Sequence, residues 1–194
     1  MATIGNAPVF PTESVLPGNL QVTGNATISG SSATVNGDEV RTVGTSGAVL
    51  QVVQATTSTA VTVTTTTYTD TTLTASITPS SSSNKVLVMI DQQFQTARDV
   101  ISFGTGVRIL RDSTVIFSPI ENSNGPYSWY IDQVAVAYQH IQHSVLDSPS
   151  TTSSVTYKTQ GRPHVTANNG RVTFQLSSSP TNGMSTITLM EVVA

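Results

Sequence analysis

Val172-Thr173-Phe174-Gln175-Leu176 places an apolar side chain at every second residue, and Ile187-Thr188-Leu189-Met190-Glu191-Val192 follows at the same period. Successive side chains of a strand point to opposite faces, so this period marks half-buried antiparallel strands with one face on a core. Outward from these two runs, strand-like segments recur at residues 48–54, 60–68, 73–78, 85–96, 101–111, 114–117, 129–143, 155–160, 171–176 and 185–193. Helical stripes do not compete with them. Pro79-Ser80-Ser81-Ser82-Ser83-Asn84 reads as a loop between two of the runs. Short strands separated by turn signals predict an all-β domain over residues 48–194, an antiparallel β-sandwich of jelly-roll type.

Composition agrees. Charged residues make up 10% of the 194, against about 25% in an average globular chain. Threonine and serine take their places; threonine favours strands and neither favours helix interiors. A surface so poor in charge suits burial in an assembly better than life as a free monomer. The net charge of −3 and eight basic residues scattered singly along the chain argue against a nucleic-acid partner. Cysteine is absent, which removes disulfides and thiolate metal sites. The longest apolar run, residues 86–90, is too short to span a bilayer, and no export signal is recognisable at the N-terminus. The expectation is a soluble protein made in a cytoplasm, with no membrane insertion and no cofactor.

Residues 18–37 read GNLQVTGNATISGSSATVNG, with glycines at Gly18, Gly24, Gly30 and Gly37 closing short segments that alternate apolar and polar. Each segment has one thin apolar edge. Repeats of this kind become stable by stacking on copies of themselves, and other chains can supply the copies. Residues 18–47 are therefore expected to form a β stalk ending in the hinge Gly44-Thr45-Ser46-Gly47. Residues 1–17, with Pro8, Pro11 and Pro17, read as an extended arm. Val9, Phe10, Val15 and Leu16 are its candidate anchoring residues. Exposed edges of the sandwich's sheets, with few lysines to blunt them, favour a closed ring of identical subunits.

Four pieces carry a resemblance: Ile77-Thr78-Pro79-Ser80-Ser81-Ser82-Ser83-Asn84-Lys85-Val86-Leu87-Val88, Leu146-Asp147-Ser148-Pro149, Val155-Thr156-Tyr157-Lys158 and Ser185-Thr186-Ile187-Thr188-Leu189-Met190-Glu191. They resemble the C-terminal domain of fibre-like virion proteins of tailed bacteriophages, especially phages of cyanobacteria and other aquatic bacteria. The glycine-paced stretch before them resembles the shaft repeats of phage tail fibres. The resemblance implies a homotrimeric virion protein, assembled in the host cytoplasm. Its N-terminus would dock on other virion proteins of the tail, baseplate or capsid, and its distal domain would attach to a host surface glycan or protein. A capsid decoration protein that stabilises the head is the other role it allows.

Chemistry is sparse. His140 and His143 are separated by two residues, so on one strand they point to opposite faces and cannot share an ion. The aspartates Asp91, Asp99, Asp112, Asp132 and Asp147 and Glu121 are spread singly, where glycoside hydrolysis needs two carboxylates about 5 to 10 Å apart. Asp147 in Leu-Asp-Ser-Pro reads as a turn residue capping backbone amides. Gly104-Thr105-Gly106 reads as a bulge or a close approach of backbone. The better candidates are for contact with a host surface. Residues 121–130 gather Tyr127 and Trp129 beside Asn122 and Asn124, a mix that suits sugars because flat rings cover apolar sugar faces and polar tips fix hydroxyls. A second loop is expected at Gly161-Arg162-Pro163-His164 with Asn168-Asn169-Gly170, offering Arg162 and His164. The expectation is a non-enzymatic protein.

Overall fold

The computed structural model describes residues 46–99, 104–118, 135–176 and 183–194, together with the short strand segments at 34–35 and 38–39. The chain divides into two units, Met1–Val43 and Gly44–Ala194. In the first, β1 (Thr34–Val35) and β2 (Asp38–Glu39) pair antiparallel, Thr34 with Glu39 and Val35 with Asp38. The two residues between them in sequence are Asn36 and Gly37, a pair strongly favoured in tight hairpins. The arm and the remaining glycine-paced segments lie outside the described residues.

The second unit is an all-β sandwich. Its strands are β3 (Val49–Thr57), β4 (Val61–Val63), β5 (Thr69–Ile77), β6 (Lys85–Arg98), β7 (Thr105–Arg111), β8 (Thr114–Phe117), β9 (Ala135–Asp147), β10 (Val155–Pro163), β11 (Arg171–Phe174) and β12 (Ser185–Val192). Every pairing is antiparallel. One sheet has the order β5-β10-β7-β8. The other is built on β6, 14 residues long, which pairs with β9 along one whole edge. Its opposite edge is shared end to end by β12, from Thr186 opposite Asp91, and β11, down to Phe174 opposite Phe94. β3 and β4 lie outside β12 and β11 in the same broken manner.

That break leaves the Gln93 backbone without a ladder partner on that edge, and local groups replace it. The Gln175 amide donates to the Gln93 carbonyl at 3.1 Å, and the Gln93 amide donates to Ser185 Oγ at 3.0 Å. Around this point runs a buried polar layer. Gln92 Nε2 donates to Thr71 Oγ1 at 2.7 Å, and the Thr71 and Thr159 hydroxyls bond across the four-stranded sheet. Gln175, turned to suit its neighbours, accepts from Gln92 Nε2 and the Ser185 hydroxyl and donates to the carbonyls of Thr71 and Thr59. Gln175 holds φ of 51°, the left-handed conformation that ends β11.

Apolar inward positions fill the rest of the interior. Val86, Val88, Ile90, Phe94, Ile187 and Leu189 face Leu73, Ile77, Val107, Ile109, Val155 and Tyr157. Gly161 shows how closely the sheets fit, because a Cβ there would stand 2.0 Å from Phe174 Cζ. The ring of the opposite sheet occupies the side-chain space that glycine leaves empty, and Phe94 lies beside it with centroids 6.0 Å apart.

The structure revises several expectations. Only Val61–Val63 of residues 60–68 is strand, because the hydroxyls of Thr65 and Thr69 bond to the nearby Thr67 carbonyl and compete with a ladder. β12 alternates buried and half-buried residues as its period predicts, whereas Val172, Thr173 and Phe174 of β11 are all buried. β10 runs through Pro163, so Gly161-Arg162-Pro163 is strand and not loop. Proline is tolerated there because β10 has already left β5 at Gly161 and pairs only with β7. Residues 167–169 do turn, with Asn168 and Asn169 at positive φ.

The serine loop has a specific anchor. The carboxylate of Glu191, fully buried at the end of β12, accepts from the Ser80 amide and hydroxyl at 2.7 Å each, from Asn84 Nδ2 at 2.6 Å and from Gln51 Nε2 at 2.6 Å. Burial by itself raises a carboxyl's pKa, but these hydrogen bonds outweigh it and hold Glu191 at about 2. Two of the pieces that carry the family resemblance thus meet in one buried contact.

Candidate functional site

The outward positions of β10 are Thr156, Lys158, Gln160 and Arg162, since its alternate residues are buried against the other sheet. Register decides their neighbours. Gln160 stands between Asp70 of β5 and Arg108 of β7, Lys158 lies opposite Thr74 and Leu110, and Arg162 lies opposite Gly106. Gly106 leaves a gap on this face that Tyr68 fills: a Cβ at Gly106 would fall 2.7 Å from Tyr68 Oη. Tyr68 reaches it because the chain abandons strand geometry after Val63. The structure corrects the expected bulge or close approach of backbone: Gly106 pairs with Arg162 without a register shift, and what approaches it is the Tyr68 side chain.

Two guanidinium groups rest on the Tyr68 ring, Arg108 at 4.2 Å and Arg162 at 5.0 Å from its centre. Such contacts hold an arginine in place without neutralising it. Arg108 donates through Nε and Nη2 to Gln160 Oε1 at 2.9 and 2.7 Å. Gln160 Nε2 in turn donates to Asp70 Oδ1 at 2.6 Å, and Lys158 Nζ to Asp70 Oδ2 at 2.9 Å. Arg162 Nη1 donates to the Thr66 carbonyl at 3.2 Å. Burial pushes the Asp70 pKa up, but the bonds from Lys158 and Gln160 and the charges of Lys158 and Arg108 leave it lowered. The described residues of the cluster include three cations and one carboxylate. Among the described residues Arg108 Nη1 has no acceptor, and Lys158 uses one of its ammonium hydrogens. The arrangement can bind an anion; among the described residues it holds no nucleophile paired with a base.

Of the residues expected to meet a host surface, Arg162 is in this cluster. His164 lies past the end of β10, where its amide donates to the Gly104 carbonyl at 2.7 Å. Asn122, Asn124, Tyr127 and Trp129 lie outside the described residues, as do Val9, Phe10, Val15 and Leu16. Tyr68, Arg108, Lys158 and Gln160 escaped the sequence reading, since nothing local marks them as neighbours. Basic residues scattered along the chain prove to be gathered on one face: three of the eight are here.

Other ionisable groups tie parts of the fold together. Among the described residues Asp147 bridges strands where amide capping was expected: its Oδ2 accepts from Arg111 Nη1 at 2.7 Å and from the Tyr157 hydroxyl at 2.8 Å, joining β9 to β7 and β10 across the sandwich. Burial and the Asp147 carboxylate both raise the Tyr157 pKa. Asp112 accepts from the Thr156 amide at 3.0 Å, and Asp99 from Asn169 Nδ2. His140 faces outward against Asp91 at 3.1 Å, while His143 stacks on the Phe117 ring, centroids 3.6 Å apart. The two histidines serve opposite faces, as their spacing requires. Among the described residues no three histidine or carboxylate side chains are arranged to hold a metal ion.

The outer face of the six-stranded sheet is different in kind. Leu146, Leu87, Met190 and Val52 form one register row across four strands, with Leu146 51% and Val52 57% exposed.

No protein-family model and no curated protein matches the chain. Among solved structures it is similar to the T13 viral particle of infectious bursal disease virus at 10% identity, over 82% of this chain and 41% of that one, with a TM-score of 0.39. The T=1 particles derived from the same virus align at 11% identity over 87% of this chain and 44% of that one, with a TM-score of 0.37. The VP2 subviral particle aligns at 10% over 74% and 38%, with a TM-score of 0.34. The chain spans less than half the length of these neighbours, and likeness this loose does not assign it to a family.

Proposed function

We propose that the chain is a structural protein of a tailed-phage virion: a short trimeric tail fibre, docked by its N-terminal arm, whose sandwich attaches to the host surface. The observation that carries this reading is the outward face built on β10, where Arg108 and Arg162 lie on the Tyr68 ring, Lys158 and Gln160 stand in line with them, and Arg108 and Lys158 keep donor hydrogens in reserve. That is a recognition surface. The carboxylates of Asp70, Asp91, Asp147 and Glu191 are tied into the fold, which favours a non-enzymatic role. Residues 1–17 form the anchoring arm, with Val9, Phe10, Val15 and Leu16 as its apolar contacts, residues 18–47 the stalk and hinge, and residues 48–194 the head. Asn122, Asn124, Tyr127, Trp129 and His164 add to the host-contact surface. Sister chains cover the uncharged row of Leu146, Leu87, Met190 and Val52, since a row exposed to this extent is poorly suited to water.

Location on the particle tests the proposal. The protein is expected in purified tails, and Tyr127→Ala or Trp129→Ala is expected to cut adsorption while trimers persist. Recovery with purified heads and absence from tails would replace the fibre by a capsid decoration protein.

A further inference from the structure

The geometry points to an acidic polysaccharide, a sugar chain bearing carboxylate or sulfate groups, as the ligand of the β10 face; this deepens the attachment reading and rests on it. Outward residues two apart on a strand are about 7 Å apart. Lys158 and Arg162 therefore bound a track of roughly 13 Å along β10, with Gln160 at its middle and Arg108 beside Gln160. Arg108 and Lys158 share the one carboxylate of Asp70 among the described residues, which leaves this part of the track with a positive charge in excess on a chain whose net charge is −3. The donors are held ready: Arg108 is fixed by Gln160 and the Tyr68 ring, so little conformational freedom remains to be lost on binding. Its unpaired Nη1 and the remaining hydrogens of Lys158 suit carboxylate or sulfate oxygens.

Polar uncharged groups continue the track. Ser76 Oγ and Thr156 Oγ1, 2.8 Å apart, stand on the same face beyond Lys158, and Thr74 stands opposite it; these offer partners for sugar hydroxyls. Cations set sparsely among hydroxyl and amide groups match a polymer whose acid groups are sparse. A nucleic acid, with a phosphate at every step, calls for a longer row of lysine and arginine.

Affinity electrophoresis of the full chain through gels containing alginate, dextran sulfate or neutral dextran tests this, alongside titration of a labelled thymidine oligonucleotide. Alginate or dextran sulfate is expected to retard the protein, dextran is not, and added salt is expected to weaken the retardation. Lys158→Gln and Arg108→Gln are each expected to weaken it at least about tenfold, while Lys85→Gln, on the other sheet, leaves it unchanged. Melting curves identify any variant that fails to fold, and Lys158→Gln, on an outward-facing side chain, decides if Arg108→Gln is unstable. Indifference to both acid polymers, equal retardation by dextran, wild-type behaviour of a folded Lys158→Gln, or tighter binding of the oligonucleotide than of either polysaccharide overturns the inference. Binding of acid polymer by a protein found off the tail would remove the attachment reading and leave this one. A tail protein that adsorbs without binding them would do the reverse.

Discussion

Glu191 and Gly161 show how single positions can hold this sandwich. The folded-state pKa of Glu191 lies near 2, below the value of 4.5 for an unconstrained glutamate. Its contribution is therefore fully present above the unfolded value and is lost as pH falls through the folded one. Denaturant unfolding is expected to show stability declining between about pH 4.5 and about pH 2. Glu191→Gln should flatten that decline and cost about 1–3 kcal/mol at neutral pH, because a neutral amide cannot accept from Gln51, Ser80 and Asn84 together. A variant with the parent's pH profile would show that the serine loop does not depend on the carboxylate. Gly161→Ala drives a methyl group into the Phe174 ring and is expected to cost about 1–3 kcal/mol. A melting temperature equal to the parent's would mean that the sheets can part to admit it.

At the scale of elements, β6 organises the larger sheet because both its edges are used, one by β9 and the other by β11 and β12 in turn. The price of sharing an edge is a gap at Gln93, and the buried amides and hydroxyls of Gln92, Gln175, Thr71 and Ser185 gather where the ladder is missing. The sandwich is joined at its other end by Asp147, reached from β7 by Arg111 and from β10 by Tyr157. Tyr157→Phe removes one neutral donor and is expected to cost about 1 kcal/mol. Arg111→Ala leaves the mostly buried carboxylate with the tyrosine alone and is expected to cost about 2 kcal/mol. In a double-mutant cycle the two losses should not add, because the groups share one oxygen. Strict additivity would mean that they act separately.

For the whole molecule the question is what covers the uncharged outer row. Sedimentation at micromolar concentration is expected to give a trimer, and Leu146→Ser together with Val52→Ser is expected to shift it toward monomer without lowering the melting temperature. A folded single chain at that dilution would overturn the assembly. The outer face of the other sheet, with its cations, is expected to stay accessible in the trimer, so oligomerisation and anion binding should respond to different substitutions.

The amino-acid sequence by itself determined the strands. A period of two is a local property, readable in Ile187-Thr188-Leu189 without knowing what lies opposite, and the serine loop before Lys85 and the opposed histidines at 140 and 143 follow from the same local rule. Where threonines bond to nearby backbone, as after Val63, the pattern misleads because side chains satisfy the chain locally. Tertiary structure alone decided strand order and register, and with them the site. Arg108 and Gln160 are 52 residues apart in sequence, and Glu191 reaches Ser80 across 111. Such pairs form because packing two sheets buries one face of every strand at once, and no local spacing records which strand will become the neighbour.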